Sequence, residues 1–377
     1  MIRLTIPSIE EDDLQAVCNI LATGYLVQGP QVAAFEQAIA EYVGARYAIA
    51  VCNCTAALQL ALLALDVGPG DKVAVTTYSW PATGNVIALC GAQPIFIDID
   101  PVTYNMDPQA LERILEQTSV KAIVPVHTFG GMADMRRICA VADRYGVPVV
   151  EDAACALGAE LEGCRAGVWG IIGCFSFHPR KAITTGEGGM IVTNNDILAR
   201  RLRILRNHGI NPDAPDPDFI APGYNLRLTE FQAALGLSQM KKVERIIKKR
   251  QALAAHYNKL LERSCLTSPR SLAGSRHVYQ SYVALLPPEA VPHRSAIISA
   301  LRQCGIEITI GTYHMPLTTY FRTLYGFQPG DFPITDEIAA RSISLPLYET
   351  LQNEQQEHLI WTLIQEIEKH GSTSLNS

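Results

Sequence analysis

From about residue 46 to residue 194 the chain alternates two kinds of apolar run. Short, β-branched runs read as strands: AIAVC (48–52), KVAVTT (72–77), PIFIDID (94–100), KAIVPVH (121–127), VPVVED (147–152) and GCFSF (173–177). Between them, TAALQLALLAL (55–65), ATGNVIALCG (82–91), DPQALERILEQ (107–117) and ADMRRICAVADRYG (133–146) carry apolar residues at helical spacing. Most of the strand runs are continuously apolar, as strands covered on both faces are. The alternation therefore predicts an α/β fold with a mainly parallel central sheet flanked by helices.

Further along, NPDAPDPDFIAPG (211–223) is too rich in Pro and Asp for regular structure and predicts a loop. LTEFQAALGLSQMKKVERIIKKRQALAAHYNKLLER then keeps helical periodicity for longer than an ordinary helix, and such a helix commonly links two domains. A boundary near residue 245 separates a large domain with an N-terminal arm (1–245) from a smaller C-terminal α/β unit (246–377). The smaller unit mixes strand runs (YQSYVALL, IEITIGTY) with helical ones (HRSAIISALRQCG, NEQQEHLIWTLIQEIEKH), and the tail GSTSLNS reads as frayed.

Composition narrows the function. A chain of 377 residues, 48% of them hydrophobic, has core enough for two domains, and 18% charged residues are too few for disorder. No apolar run is long enough to cross a bilayer, and Pro7 and the acids from Glu10 to Asp13 interrupt any signal-like start, so a cytoplasmic protein is expected. A net charge of −6 argues against a nucleic-acid partner, and the one basic run, KKVERIIKKR (241–250), reads as a solvated helix face. Ten cysteines without a CxxC pair, mostly within apolar stretches, read as buried reduced thiols, and no metal site is expected.

In a parallel sheet ligands bind beyond the carboxyl ends of the strands, so the informative residues are those just after each apolar run. After AIAVC the polar turn NCT opens a helix; the Thr55 hydroxyl and the Ala56 amide suit an anion, or the helix is simply capped. Asp152 ends VPVVED, where a buried carboxylate needs a partner: a cationic ligand atom, or a local Arg or backbone amides. Lys181 follows GCFSF and precedes the flexible TTGEGG. It reads either as a surface lysine or as an amine beside a cleft, able to form imines with carbonyls. Trp80, after KVAVTTYS, either stacks on a ring or fills core. Together an anion site, a carboxylate and a lysine at strand ends of one sheet match the phosphate, ring nitrogen and aldehyde of pyridoxal 5'-phosphate.

At these residues the sequence resembles the DegT/StrS family of sugar aminotransferases, which have the fold-type I architecture of pyridoxal-phosphate-dependent transferases. The resemblance runs from GYLVQGPQVAAFEQAIAEYVGA to ARSISLPLYETL and is most specific in CTAALQLALLAL, VPVVEDAACALGA, FSFHPRKAITTGEGGMIVT, RNHG and GYNLRLTEFQAALG. It implies that the large domain binds the cofactor, with Lys181 as its Schiff-base lysine and Asp152 as the partner of its ring nitrogen. It further implies that Thr55, Ala56 and Ser176 hold the phosphate and that Trp80 stacks on the ring. Family members are homodimers or higher assemblies with shared active sites, and an Asn of the neighbouring subunit often completes each one. The segment here is GYNLRLTE, in which Arg227 stands at that Asn's position and Asn225 two residues earlier. Cys155 stands where relatives often carry Gln or His beside the cofactor, and GTYHMPL (311–317) offers Tyr313 and His314 on the substrate side.

The reaction that the resemblance implies is a two-stage transamination. An amino-acid donor, glutamate, leaves its amino group on the cofactor as pyridoxamine 5'-phosphate, and a keto group on a nucleotide-linked deoxysugar then takes it up. The alternatives are a deoxysugar dehydratase on the same fold and a non-catalytic regulatory relative. Related dehydratases replace the lysine with His, so Lys181 weighs against the first, and an intact Lys181 and Asp152 weigh against the second. Asp98 and Asp100 at a strand end suggest a nicotinamide-dependent dehydrogenase, but GEGG (186–189) is neither spaced nor placed as a dinucleotide fingerprint.

Overall fold

The computed structural model describes residues 1–372; of the tail GSTSLNS, residues 373–377 lie outside the described part. Seven strands carry the large domain: β1 (Tyr47–Val51), β2 (Lys72–Thr76), β3 (Gln93–Ile97), β4 (Ala122–Val124), β5 (Val150–Asp152), β6 (Ile172–Ser176) and β7 (Gly189–Thr193). The pairings β1–β7–β6–β5 and β3–β2–β4 join through parallel bridges Ile123–Val149 and Val126–Asp152, giving one sheet in the order 1-7-6-5-4-2-3. Only β7 runs antiparallel to its neighbours. The sheet is therefore mainly parallel, as the continuous apolar runs predicted. The added strand is β7, whose GMIVT sequence follows the glycine-rich turn.

Side chains alternate across the sheet with the period of two that strand geometry imposes. Ile49, Val51, Val73 and Val75 face α3 (Cys54–Ala64), α4 (Ala82–Leu89) and α7 (Asp196–Arg206). Ala48, Ala50 and Ala74 face α2 (Pro30–Val43), α5 (Pro108–Leu115), α6 (Met135–Tyr145) and α8 (Glu230–Met240). A sheet buried on both faces is what the runs of buried strand residues require.

Three readings of the sequence change. The long helical stretch is two helices, α8 and α9 (Val243–Leu261), broken at Lys241–Lys242. The break lets Lys242, only 8% exposed, reach Asp12 and Asp13 near the start of α1 (Glu11–Thr23) at 2.8 and 2.7 Å. Arg250 is buried as well, with its guanidinium on the carbonyls of Tyr279 and Gln280. The basic run is thus not a wholly solvated face. Nor are the ten cysteines uniformly buried: all are unpaired, but Cys18, Cys265 and Cys304 are exposed.

Helix α9 passes from one core to another: Val243, Ile246 and Ile247 pack in the large domain, whereas Leu253, Ala254, Tyr257 and Leu261 pack in the C-terminal core. That core is built on an antiparallel sheet of Tyr282–Leu285, Ser342–Leu345 and Thr309–Ile310. The first residues of the chain join it. Ile2 bridges Ile306, and the Leu347 amide donates to the Leu4 carbonyl at 3.1 Å, so residues 2–4 side with the small unit, not with the large one. Among the described residues no helix is long and apolar enough to cross a membrane.

One buried acid ties α8 to α2. Glu230 accepts the amides of Gly29, Gln31 and Val32 at 2.8–2.9 Å, capping a helix two hundred residues earlier in the chain; Pro30 between them has no amide to offer. Glu230→Ala strands three donors and should cost about 3 kcal/mol, read as a lower urea midpoint, while Glu230→Gln should lose less. An unchanged midpoint in Glu230→Ala would contradict this cap.

Candidate active site

The sheet order aligns the ends of its strands. Val51 of β1 pairs with Gly189 of β7, which pairs with Ser176 of β6, and Asp152 of β5 pairs with Cys174 two residues back along β6. The loops after β1, β5 and β6 therefore open on one edge. They carry the turn into α3, the turn with Cys155 and the turn with Lys181.

At the first loop, Asn53 caps α3 by accepting the Ala56 amide on its Oδ1 at 2.8 Å. The Ala56 amide thus has the Asn53 side chain as its partner. Among the described residues, the Cys54 and Thr55 amides have no acceptor, and Thr55 lies exposed at the helix start. The open amides at the start of α3 are thus those of Cys54 and Thr55, with the helix dipole behind them. Asn53 was legible as an Asn immediately before an apolar helical run. Half-buried Ser176 lies across β7 from this turn, its Oγ loosely accepting the His178 amide at 3.4 Å.

Asp152 is 4% exposed. Its Oδ2 accepts the Thr83 hydroxyl at 2.7 Å and its Oδ1 the Ala154 amide at 3.1 Å. No cation pairs with it within 4 Å among the described residues. Burial pushes its pKa up, against the Thr83 and Ala154 hydrogen bonds and the more distant Lys181 and His127. Thr83, at the start of α4, had no signal in the sequence beyond a small polar residue in an apolar run. Behind Asp152, buried Glu151 accepts His127 Nε2 at 2.8 Å and the amides of Gly167 and Gly170 at 2.8 and 2.7 Å. His127 Nδ1 accepts the Ala133 amide, so its ring proton sits on Nε2.

Lys181 follows β6 in a turn closed by its amide on the His178 carbonyl at 2.8 Å. Its Nζ donates to Cys155 Sγ at 3.1 Å. Burial pulls the ammonium's pKa down, but Cys155, Cys54 and Asp152 outweigh it and the net direction is up. Of the expected residues, Lys181, Cys155 and Asp152 thus come together at one place.

Trp80 is 60% exposed, which excludes core filling, and Tyr313 meets it edge-on with ring centroids 5.4 Å apart. The contact follows from a two-residue pairing of Tyr313–His314 with Tyr78–Ser79, which lays the C-terminal unit on the large one. Neighbouring residues of a strand point to opposite sides. His314 accordingly turns away from Trp80, its Nε2 lying 3.0 Å from Asp336. Burial lowers its pKa against the pull of Asp336. In GYNLRLTE, the Leu226 carbonyl accepts the Cys52 amide at 2.9 Å, Asn225 is exposed, and Arg227 is held by Asn207 Oδ1 at 2.7 Å. That segment lies beside its own chain's turn into α3. Among the described residues no cluster of three or more His, Cys, Asp or Glu is placed to hold a metal.

The donors fit pyridoxal phosphate. A buried carboxylate without a cation, an amine resting on a thiol, and open amides at a helix start match the ring nitrogen, the aldehyde and the phosphate.

Comparison with known proteins agrees. The family model of the DegT/DnrJ/EryC1/StrS aminotransferases matches residues 7–364. The spore coat polysaccharide biosynthesis protein SpsC of Bacillus subtilis is 36% identical over 371 residues, with 94% of each chain covered. Spr1654 from Streptococcus pneumoniae in its PMP-form superposes with a TM-score of 0.94 at 27% identity over the full length of both chains. Helicobacter pylori PseC, an aminotransferase involved in the biosynthesis of pseudoaminic acid, gives 0.92 at 27% identity, covering 98% of this chain and 99% of that one. The architecture is that of fold-type I pyridoxal-phosphate-dependent transferases.

The Asp152 carboxyl has a stability consequence. Because folding raises its pKa, the folded state binds its proton more readily than the unfolded chain does, and the ionised form weakens the fold once pH exceeds the ordinary carboxylate range. Asp152→Asn should therefore stabilise the protein freed of cofactor by about 1 kcal/mol at pH 7, the usual trade of stability for function. The gain should shrink as pH falls through that range. Urea midpoints at several pH values check this, and a variant less stable than wild type at neutral pH would refute it.

Proposed function

We propose that this chain, which belongs to the DegT/DnrJ/EryC1/StrS aminotransferase family, moves an amino group from glutamate to the keto carbon of a nucleotide-linked deoxysugar. The observation that carries the reading is the convergence of Lys181 and Asp152, from two different strand ends, beside the open start of α3. The family is a family of sugar aminotransferases that use pyridoxal phosphate. The names of SpsC and PseC, which place those proteins in polysaccharide and pseudaminic acid biosynthesis, support a sugar acceptor here.

In this reading each residue has a task. The Cys54 and Thr55 amides and the Thr55 and Ser176 hydroxyls bind the phosphate, and Trp80 covers one face of the ring. Asp152 holds a proton on the ring nitrogen, which its buried, cation-free position favours. The chemistry that the cofactor supplies when bound is a carbonyl that condenses with amines and a ring that takes up the electrons of an adjacent carbanion. Lys181 holds the cofactor at rest; once freed, its amine takes a proton from the donor's α carbon and later delivers one to the sugar carbon. Tyr313 lines the acceptor side, edge-on to Trp80. Arg227, fixed by Asn207, and the exposed Asn225 lie on a segment available to a neighbouring subunit's phosphate site, and a homodimer with shared sites is the assembly this reading assigns. The cytoplasm is its compartment.

Lys181→Ala should lower transamination of nucleotide-linked keto-sugars by at least about a thousandfold, since it removes both the anchor and the proton carrier; mass spectrometry of the aminated product measures it. Wild-type protein should be yellow with bound cofactor and bleach when glutamate is added. Wild-type turnover in Lys181→Ala, or a protein that stays colourless with added pyridoxal phosphate, would sink the assignment.

A further inference from the structure

Lys181 has a partner that catalysis does not demand. Its Nζ donates to Cys155 Sγ at 3.1 Å, and among the described residues it has no other hydrogen bond or ion pair, although the Asp152 carboxylate lies in the same site. Both ends of the contact are anchored. The Cys155 turn is closed by the Ala156 amide on the Ala153 carbonyl at 2.9 Å. Gly130, at φ +93°, lets the Cys155 carbonyl pack so close that a methyl group there would stand 3.0 Å from it. On the other side the Lys181 carbonyl accepts from the buried Arg250 at 3.5 Å.

We infer that Cys155 is the resting partner of the Lys181 amine: its sulfur holds the amine in the cleft whenever the amine is not joined to the cofactor. The inference rests on Lys181 being the amine that engages the cofactor. Sulfur suits the task because it is a weak, polarisable acceptor that gives the amine up readily, whereas a carboxylate at 3 Å would bind the ammonium strongly. The other titratable groups facing the amine are Cys54 from the start of α3, Asp152 from the end of β5 and His178 on its own turn. None of them makes a hydrogen bond to it. Cys155 thus keeps the freed amine in place between the two stages of the reaction.

The test uses the full chain freed of cofactor. Lys181 is labelled by reductive methylation from pH 7 to 10.5, and its peptide is quantified by mass spectrometry in wild type, Cys155→Ala and Cys155→Ser. Loss of the sulfur should release the amine, so that at a given pH Lys181 of Cys155→Ala labels about tenfold faster, the equivalent of one pH unit. Cys155→Ser should fall between the two, and it carries the test should the alanine variant not fold. Labelling profiles that coincide in all folded variants, or slower labelling without the sulfur, overturn the inference. The labelling comparison needs no bound cofactor, so a colourless protein would sink the proposed function while leaving this result readable.

Discussion

Gly189 has to be bare. A methyl group on it would stand 2.5 Å from the Asn53 carbonyl and 2.8 Å from the Cys54 nitrogen, inside the backbone of the turn that opens α3. Because nothing projects there, β7 can slide between β1 and β6 and bring Ser176 across from the start of α3. The rest of the site hangs on that fit. An antiparallel strand in the middle of a parallel sheet sets the spacing between the turn into α3 after β1 and the lysine and carboxylate after β6 and β5. Any side chain at 189 would force the strand and the helix start apart, with no flexible end to yield.

Around this frame, charges are buried on terms that differ with their role. Glu151 and Glu230 are fully supplied with donors and serve as fixed points for backbone: Glu151 ties His127 and the turn from Gly167 to Gly170 to the strand end, and Glu230 caps α2. Asp152 receives one hydroxyl and one amide, and Lys181 one thiol. The difference matters because an ionised group without a counter-charge raises the energy of the folded state, and a ligand that supplies the missing charge recovers it. A site whose two ionisable groups are underserved, amid neighbours that are fully served, is arranged for something that comes and goes.

The two domains meet at the same place. Arg250 on α9 reaches the carbonyls of Tyr279, Gln280 and Lys181, and Gln280 donates to the Arg180 carbonyl at 3.0 Å, so the C-terminal unit grips the turn that carries the lysine. Tyr313 closes over Trp80 from the same unit. A guanidinium on neutral carbonyls, with its pKa lowered to about 10 by burial, is a costly way to hold a turn, and it places the position of Lys181 under the control of both domains.

The sequence by itself determined the class of fold, the sheet's prevailing direction and the strand ends at which Asp152 and Lys181 lie. Continuous apolar runs separated by helical ones admit few arrangements, and in a parallel sheet every strand's carboxyl end opens on one edge, so Asp152 and Lys181 could be found by looking just past VPVVED and GCFSF. The family likeness, carried by the same stretches, supplied the cofactor. Tertiary structure alone decided what depends on partners distant in the chain. GMIVT becomes a strand only because β1 and β6 leave a gap for it, and Lys242 and Arg250 are buried only because α1 and the C-terminal unit cover them. The Ala56 amide is occupied because Asn53 folds back on it, and His314 faces Asp336 because the pairing of Tyr313 with Ser79 fixes which side of that short strand it takes. Periodicity reports which residues share a face; it is silent on what that face will meet, since the meeting is set by chain segments brought together across hundreds of residues.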